Sequence, residues 1–497
     1  MNVDRRRNDN ILHKNSDLVD QVPSSSSQLV DYLQQKFHHT SDLQIVSFSN
    51  LTLFFIGNQI DQNEFNLNVI GRLDGNITYT MESLNNAISV GDINTSNDME
   101  QGVLSVLKGS VGIFIEELQE IVLIKIPANN HRSLSKPENE SQVIGSQVGF
   151  NESLSTNVSL IRRALATPDL KNELYTIGKR THTEVSILYI DGLASDDQIS
   201  RIRKKLSSID IDGLLDSAEL NQLINDNSLS IFPQMLLTER PDRVCHGLLN
   251  GKIAVLVDGS PMAILSPLSF IEFFESKEDY NVRWPIASFI RLLRITAMFL
   301  SVFFTALYVA ALTFHYEVIP QALLVPLGES RSRVPFPPLF EAILLEFIIE
   351  LLREAGARLP TKVGQTMGIV GGIVIGTAAV QAGFTSNILI IIVALGALAS
   401  FTTPSYTMGS LIRVIRFPLL FLAGFWGFYG IMFGFCVILI HLLRLSTLGS
   451  PYMAPFYPPR FSDWVDSIVR LPLRLTNKRS QLTRPQDQQK YNPDESN

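Results

Sequence analysis

Between Lys362 and Arg413 the chain has fifty consecutive residues without Asp, Glu, Lys, Arg or His. That absence excludes an ordinary solvated surface and points to a membrane. A hydrocarbon core takes about 20 apolar residues as a helix, so the run can hold a close hairpin of two spans. Cysteine is nearly missing as well. Cys245 stands in the polar half and Cys436 in an apolar run, which excludes a disulfide framework and suits a reducing compartment. No phosphate-cradling glycine loop, paired-histidine helix, CxxC pair or nucleophile elbow occurs. No catalytic, cofactor or metal site is therefore expected, and the adjacent His38-His39 point in different directions. A net charge of −7 and the lack of a basic stripe between aromatics argue against nucleic acid. The first residues carry Arg5-Arg6-Arg7 and a serine run but no apolar core, so a disordered polar tail over 1–40 is expected rather than a signal peptide.

What is present divides the chain in two. Residues 1–290 are polar and charged, and apolar residues concentrate in 295–443. The polar half contains a degenerate duplication. An apolar strand at 53–56 is followed by a helical run to Leu73, and one at 187–190 by a helical run to Leu206. Each copy then reaches a Gly step, Lys108-Gly109 or Asn250-Gly251, and two short strands. The expected fold class is an α/β soluble N-terminal region of two related subdomains followed by an α-helical polytopic membrane domain. The boundaries read as a tail over 1–40, subdomains over 41–130 and 151–285 with a linker at 131–150, a membrane domain of four to five spans over 286–445, and a polar basic tail over 446–497.

Spans are expected at 295–314, 364–384, 388–403 and 417–443, with a proline-rich interruption at 320–338 that disfavours continued helix. Arg283, Arg291 and Arg294 place the soluble half inside, and the basic tail places the C-terminus inside too. That requires an even number of crossings. The helix at 340–359 is then either embedded without crossing, or it crosses and makes the count odd.

That helix carries Glu346, Glu350, Arg353 and Glu354 within one stripe about 100° wide. Copies of such a face could ring a cation path as a pore or gate, or the helix could lie at the interface with its charges in water. The following run carries Gly364, Gly368, Gly372 and Gly376 every four residues, a close-packing stripe within one chain or between copies. Glu239, Arg240, Asp242 and Arg243 form a dense charged turn, expected to be a salt-bridged network or a subunit contact. Asp258 and Ser260 are of the types a tight turn prefers.

Leu160-Ile161-Arg162-Arg163, Thr238 to Val244 (TERPDRV), Ala254 to Pro261 (AVLVDGSP), Ala306 to His315 with Pro320, Val334-Pro335-Phe336-Pro337, Glu350 to Pro360 (ELLREAGARLP) and Gly368 to Val380 (GIVGGIVIGTAAV) follow in one order along 140–445. In these the chain resembles the A subunits of spore germination receptors, the GerA family of endospore-forming bacteria. It departs at Gly145-Ser146-Gln147, where the family has a Gly-Pro-Arg step. The resemblance implies a non-enzymatic subunit in the spore inner membrane with its N-terminal region cytoplasmic. It implies partnership with a transporter-like B subunit that holds the nutrient and a lipoprotein C subunit. It further implies oligomerisation of A subunits into a nutrient-gated channel for monovalent cations. A secondary transporter for the nutrient, or a scaffold for the receptor complex, are the alternatives.

Overall fold

The computed structural model describes residues 22–48, 50–73, 79–88, 92–118, 120–128, 136–138, 140, 142–359, 372, 374, 376–472 and 475–490. In the first unit α1 (Ser26–Lys36) precedes β1 (Leu43–Phe48) and β2 (Leu51–Ile56). Helices α2 (Gln62–Asn68) and α3 (Met81–Ala87) lead to β3 (Ile93–Ser96), and α4 (Met99–Leu107) leads into the hairpin β4 (Ser110–Ile115) and β5 (Glu120–Lys125). The second unit comprises α5 (Leu154–Ala164), β6 (Leu170–Ile177), β7 (Thr183–Ile190), α6 (Asp196–Ser207), α7 (Ser217–Ile224), β8 (Leu236–Thr238), α8 (Pro241–Leu249), β9 (Ile253–Val257) and β10 (Ala263–Ser266). The sheet orders are β1-β2-β4-β5-β3 and β6-β7-β9-β10-β8, one topology used twice. Each ladder is antiparallel, so the expected α/β class becomes helices connecting antiparallel strands. Gly109 and Gly251 end α4 and α8 at φ +94° and +78°. This left-handed stop is open to glycine at little cost, and it turns each chain into its hairpin.

The expected tail over 1–40 is corrected in its second half, while residues 1–21 lie outside the described residues. Ser25 caps α1 by accepting from the Gln28 amide, and Leu29, Leu33 and Phe37 are fully buried. The serine run that reads as low complexity is the start of a helix whose i, i+4, i+8 positions are apolar. Arg162 joins the two units. Fully buried, it donates from Nε to Asp42 Oδ2 at 2.5 Å and from Nη2 to Asp42 Oδ1 at 2.7 Å.

The helical half contains α9 (Trp284–Thr313), α10 (Gln321–Arg331), α11 (Pro338–Arg358), α12 (Asn387–Ser400) and α13 (Tyr406–Arg444). The proline-rich interruption holds a helix after all, α10, in which Pro326 removes only one backbone bond. Among the described residues α9 and α13 are long and apolar enough to cross a membrane. The second is not one rod. Gly427 sits at φ 62°, ψ −140°, and beyond it Gly430 faces Leu422 and Gly434 faces Leu419. Residues 406–426 and 428–444 are thus the arms of a hairpin, where a single span over 417–443 is expected from the sequence. An apolar run gives no sign of reversal. The backbone at Gly427 and the close approach of the second arm do.

Contacts fix the directions. Helix α9 starts at the soluble half, where Arg291 and Arg294 reach Asp279 at 3.1 and 2.8 Å. It ends at the hairpin tip, where the rings of His315 and Phe428 are 4.7 Å apart. Helix α11 runs back beside the first arm, with Leu339 against Gly424 and Glu350 3.8 Å from Arg413. The second arm of α13 returns to the soluble half, and His441 Nε2 lies 2.8 Å from Ser230 Oγ. The residues at 340–359 therefore run along the bundle rather than away from it, and the doubled last run brings the chain out on the side where it entered.

The expected polar basic tail is also built in, apart from residues 473–474 and 491–497, which lie outside the described residues. Thr447 donates to Gln234 O at 2.5 Å and Tyr452 to Pro233 O at 2.6 Å. Helix α14 (Phe461–Ser467) follows. One apolar core runs from β7, β9 and β10 through Phe273 and Phe274 to Val302, Ala306, Leu411 and Leu419, so the second sheet and the bundle pack as a continuous body.

Candidate buried polar site

Helix α11 opens with Pro338 at its first turn, where a missing N–H costs nothing. It carries its carboxylates into the bundle at successive levels. Glu341 is 1% exposed, accepting from Arg331 Nη2 at 3.0 Å and from the Ser386 amide at 3.3 Å. One and a half turns on, Glu346 is also 1% exposed. Its Oε1 accepts from Thr305 Oγ1 at 2.8 Å and its Oε2 from Arg416 Nη1. Arg416 spends its remaining donors on Ser301 O and Oγ, both at 2.8 Å, and on Gly396 O at 3.3 Å. Three helices other than α11 thus meet at this guanidinium, and the pair is buried and nearly satisfied, as an ion pair in a low-dielectric interior must be.

The next level is half-buried. Glu350 lies 3.4 Å from Arg353 Nη1 and 3.8 Å from Arg413 Nε. Arg353 also donates to Ser400 Oγ at 3.1 Å and stacks over the Phe401 ring at 4.3 Å. Glu354 has left the interior and pairs with Arg358 at 2.6 Å on an exposed face. The expected stripe is therefore divided: Glu346 points into this chain's own bundle, Glu350 and Arg353 sit at its edge, and Glu354 faces outward.

Of the glycine stripe, Gly364 and Gly368 lie outside the described residues. A β-carbon added at Gly372 or Gly376 would meet nothing within 4 Å, so this face has no packing partner among the described residues. The turn at 239–243 sits in the second unit, where β8 leads into α8. Arg240 pairs with Asp242 at 2.8 Å, Arg243 with Glu140 at 2.7 Å, and Glu239 accepts from the Glu138 amide at 2.8 Å. Arg240 Nη2 also donates to Ser146 O at 3.0 Å. That bond is to the main chain and does not depend on which side chain stands at 146.

Sequence reasoning missed Arg331, Arg413 and Arg416. The signal was present in the spacing. Carboxylates four apart on α11 face arginines three apart on an antiparallel neighbour, in the register Glu346 to Arg416 and Glu350 to Arg413. Only knowledge of which helices are neighbours turns that spacing into a pair.

Compared with known proteins, residues 31–482 match the family model described as Bacillus/Clostridium GerA spore germination protein. The spore germination protein GerQA of Bacillus cereus is 44% identical over 95% of this chain and 96% of its own length. The spore germination protein A1 of Bacillus subtilis (strain 168) is 39% identical over 87% and 89%. Among solved structures, the N-terminal domain of the A subunit of the Bacillus megaterium spore germinant receptor GerK3 is 27% identical, with a TM-score of 0.39, covering 51% of this chain and 98% of that one.

Proposed function

This chain belongs to the GerA spore germination protein family, and we propose that it is a non-enzymatic subunit of a nutrient germinant receptor in the spore inner membrane. It works there with a transporter-like B subunit and a lipoprotein C subunit, and several copies form a nutrient-gated path for monovalent cations. The N-terminal units and the tail face the cytoplasm. Membrane embedding is supported by the outer surface of the bundle, where Phe299, Leu307, Phe421, Phe425, Phe433, Val437 and Ile440 are exposed. Such an apolar surface is far larger than soluble proteins tolerate. Tyr406 and Trp426, both exposed, bracket the first arm of α13 about 30 Å apart at 1.5 Å per residue, the separation of two interfacial aromatic belts.

The observation that carries the mechanism is the pairing of Glu346 with Arg416 and of Glu350 with Arg353 and Arg413. Closed in this way, the carboxylates are neutralised and offer nothing to a cation. Nutrient binding by a partner favours a second packing in which α11 slides against the first arm of α13. Glu350 then Glu346 lose their arginines and line the path, and Arg353 acts as the latch. The shift extends only as far as the nutrient's differential affinity for the two packings. The open glycine face at Gly372 and Gly376 gives neighbouring copies a surface for close approach.

Reversing one charge, Glu350→Lys, tests this in spores. With assembly intact, the rate or selectivity of nutrient-triggered potassium release must change. Loss of nutrient uptake instead would make the protein a transporter, and unaltered release and uptake would make it a scaffold.

A further inference from the structure

The second sheet unit and the tail enclose a cavity of about 280 Å³ between α8, the turns at Ile271–Phe274 and Lys277–Tyr280, helix α14 and residues 475–490. Most charges on its wall are answered. Lys252 pairs with Glu272 at 2.5 Å, Arg243 with Glu140 at 2.7 Å and Arg479 with Asp487 at 2.7 Å, and Tyr280 donates to Asp466 at 3.2 Å. Lys478 at the rim is exposed, and four half-buried wall groups also lack a partner. Among the described residues neither Lys277 Nζ, Lys490 Nζ, the Glu275 carboxyl nor the His246 ring has an ion-pair or hydrogen-bond partner. Lys277 lies only over the Tyr280 ring at 5.0 Å, and His246 packs on that ring at 4.8 Å. These groups are half-buried and converge on one cavity, where a small polar ligand can supply the partners that the protein does not.

Their protonation makes the site donor-rich. Burial lifts the Glu275 carboxyl to about 8, so near neutrality it carries a proton to donate. Burial, then the charges of Lys277 and Lys490, hold His246 well below the ordinary imidazole range, leaving one ring N–H. Burial lowers the affinity of both Lys277 and Lys490 for their protons, the carboxylates of Asp242 and Asp466 oppose this at Lys277 and Lys490 respectively, and the charges of Lys490 and Arg470 add to it at Lys277. An anion relieves that strain, and a cation worsens it.

We infer that the cavity between the second sheet unit and the C-terminal tail binds a small oxyanion, a carboxylate or a phosphate, held by Lys277, Lys490, His246 and Glu275. Because the tail closes the cavity and follows directly from α13, occupancy ties the exit of the bundle to the soluble half.

The test is titration calorimetry of the full-length protein in detergent at pH 7, with inorganic phosphate and separately with acetate. Saturable binding of one or both is expected, with Kd raised at least tenfold in Lys277→Gln and in Lys490→Gln. Glu275→Gln keeps a donor and should bind at pH 7 while losing the weakening that the unaltered protein shows above pH 8. Binding of phosphate alone or of acetate alone identifies the class of oxyanion. Lys490 lies outside the helices and strands, so Lys490→Gln answers the question should Lys277→Gln fail to fold. Absence of binding by both probes, or binding unchanged in Lys490→Gln, overturns the inference.

Discussion

Replacing Arg416 by methionine strands the Glu346 carboxylate in the middle of the bundle. Arg416 is 2% exposed and Glu346 1%, and the guanidinium supplies four hydrogen bonds, to Glu346, Ser301 O, Ser301 Oγ and Gly396 O. With it gone, Glu346 keeps only the Thr305 hydroxyl at 2.8 Å. Removing one member of a buried pair costs about 3–5 kcal/mol, because the survivor must stay charged without a partner or take up a proton. That is roughly two to three and a half decades in the unfolding equilibrium. The double replacement Glu346→Gln with Arg416→Met removes both charges and should recover at least half of the loss, since an apolar or neutral pair of similar volume is often as stable as the ion pair. Unfolding of the purified protein in mixed micelles, followed for the single variants and the double variant, gives the coupling energy. A cost under about 1 kcal/mol for Arg416→Met, or strictly additive variants, would refute the reasoning and with it the closed state assigned to α11.

Gly427→Val should prevent the reversal of α13, since φ 62° excludes a β-branched residue and a β-carbon there would lie 2.6 Å from His315 Cε1. Protease accessibility of tags placed after Arg444 would report on which side the chain then emerges, and an unchanged pattern would sink the hairpin. His38 sits between Asp169 at 3.4 Å and Asp191 at 3.1 Å. Its hydrogen bond to Asp169, reinforced by both carboxylates, raises its pKa above 6.5. The contribution to stability is complete below pH 6.5 and is lost as pH rises through the folded value, so the two sheet units should loosen in mildly alkaline buffer and His38→Ala should flatten the profile measured by hydrogen exchange. Arg162→Lys should destabilise by about 2–4 kcal/mol in thermal melts, because lysine cannot reproduce the forked contact with Asp42. A melt within 1 °C of the unaltered protein would mean that the two units are joined elsewhere.

The repeated strand, helix and hairpin was legible because each copy follows the same local grammar. An apolar strand, a helix, a glycine stop and a hairpin are all short-range features, and Gly109 and Gly251 announce the stop without help from the rest of the chain. None of the edge strands β1, β6, β3 and β8 was read from the sequence. Ile93–Ser96 and Leu236–Thr238 are short, and they are strands only because β5 and β10 offer them an edge. Helix α1 was lost for a related reason: its serine-rich start resembles a disordered segment until Leu29, Leu33 and Phe37 find the sheet that covers them.

By itself, the sequence determined that a polar half precedes an apolar, helical half, and that α11 brings charge into apolar surroundings. Both follow from composition over tens of residues, which no packing can undo. Tertiary structure alone decided that Glu346 faces Arg416 rather than water, that the last apolar run doubles back at Gly427, and that the basic tail closes a cavity. Each of these depends on which surfaces become neighbours, and a helix of given periodicity presents the same stripe whether an arginine, a lipid or an ion stands opposite.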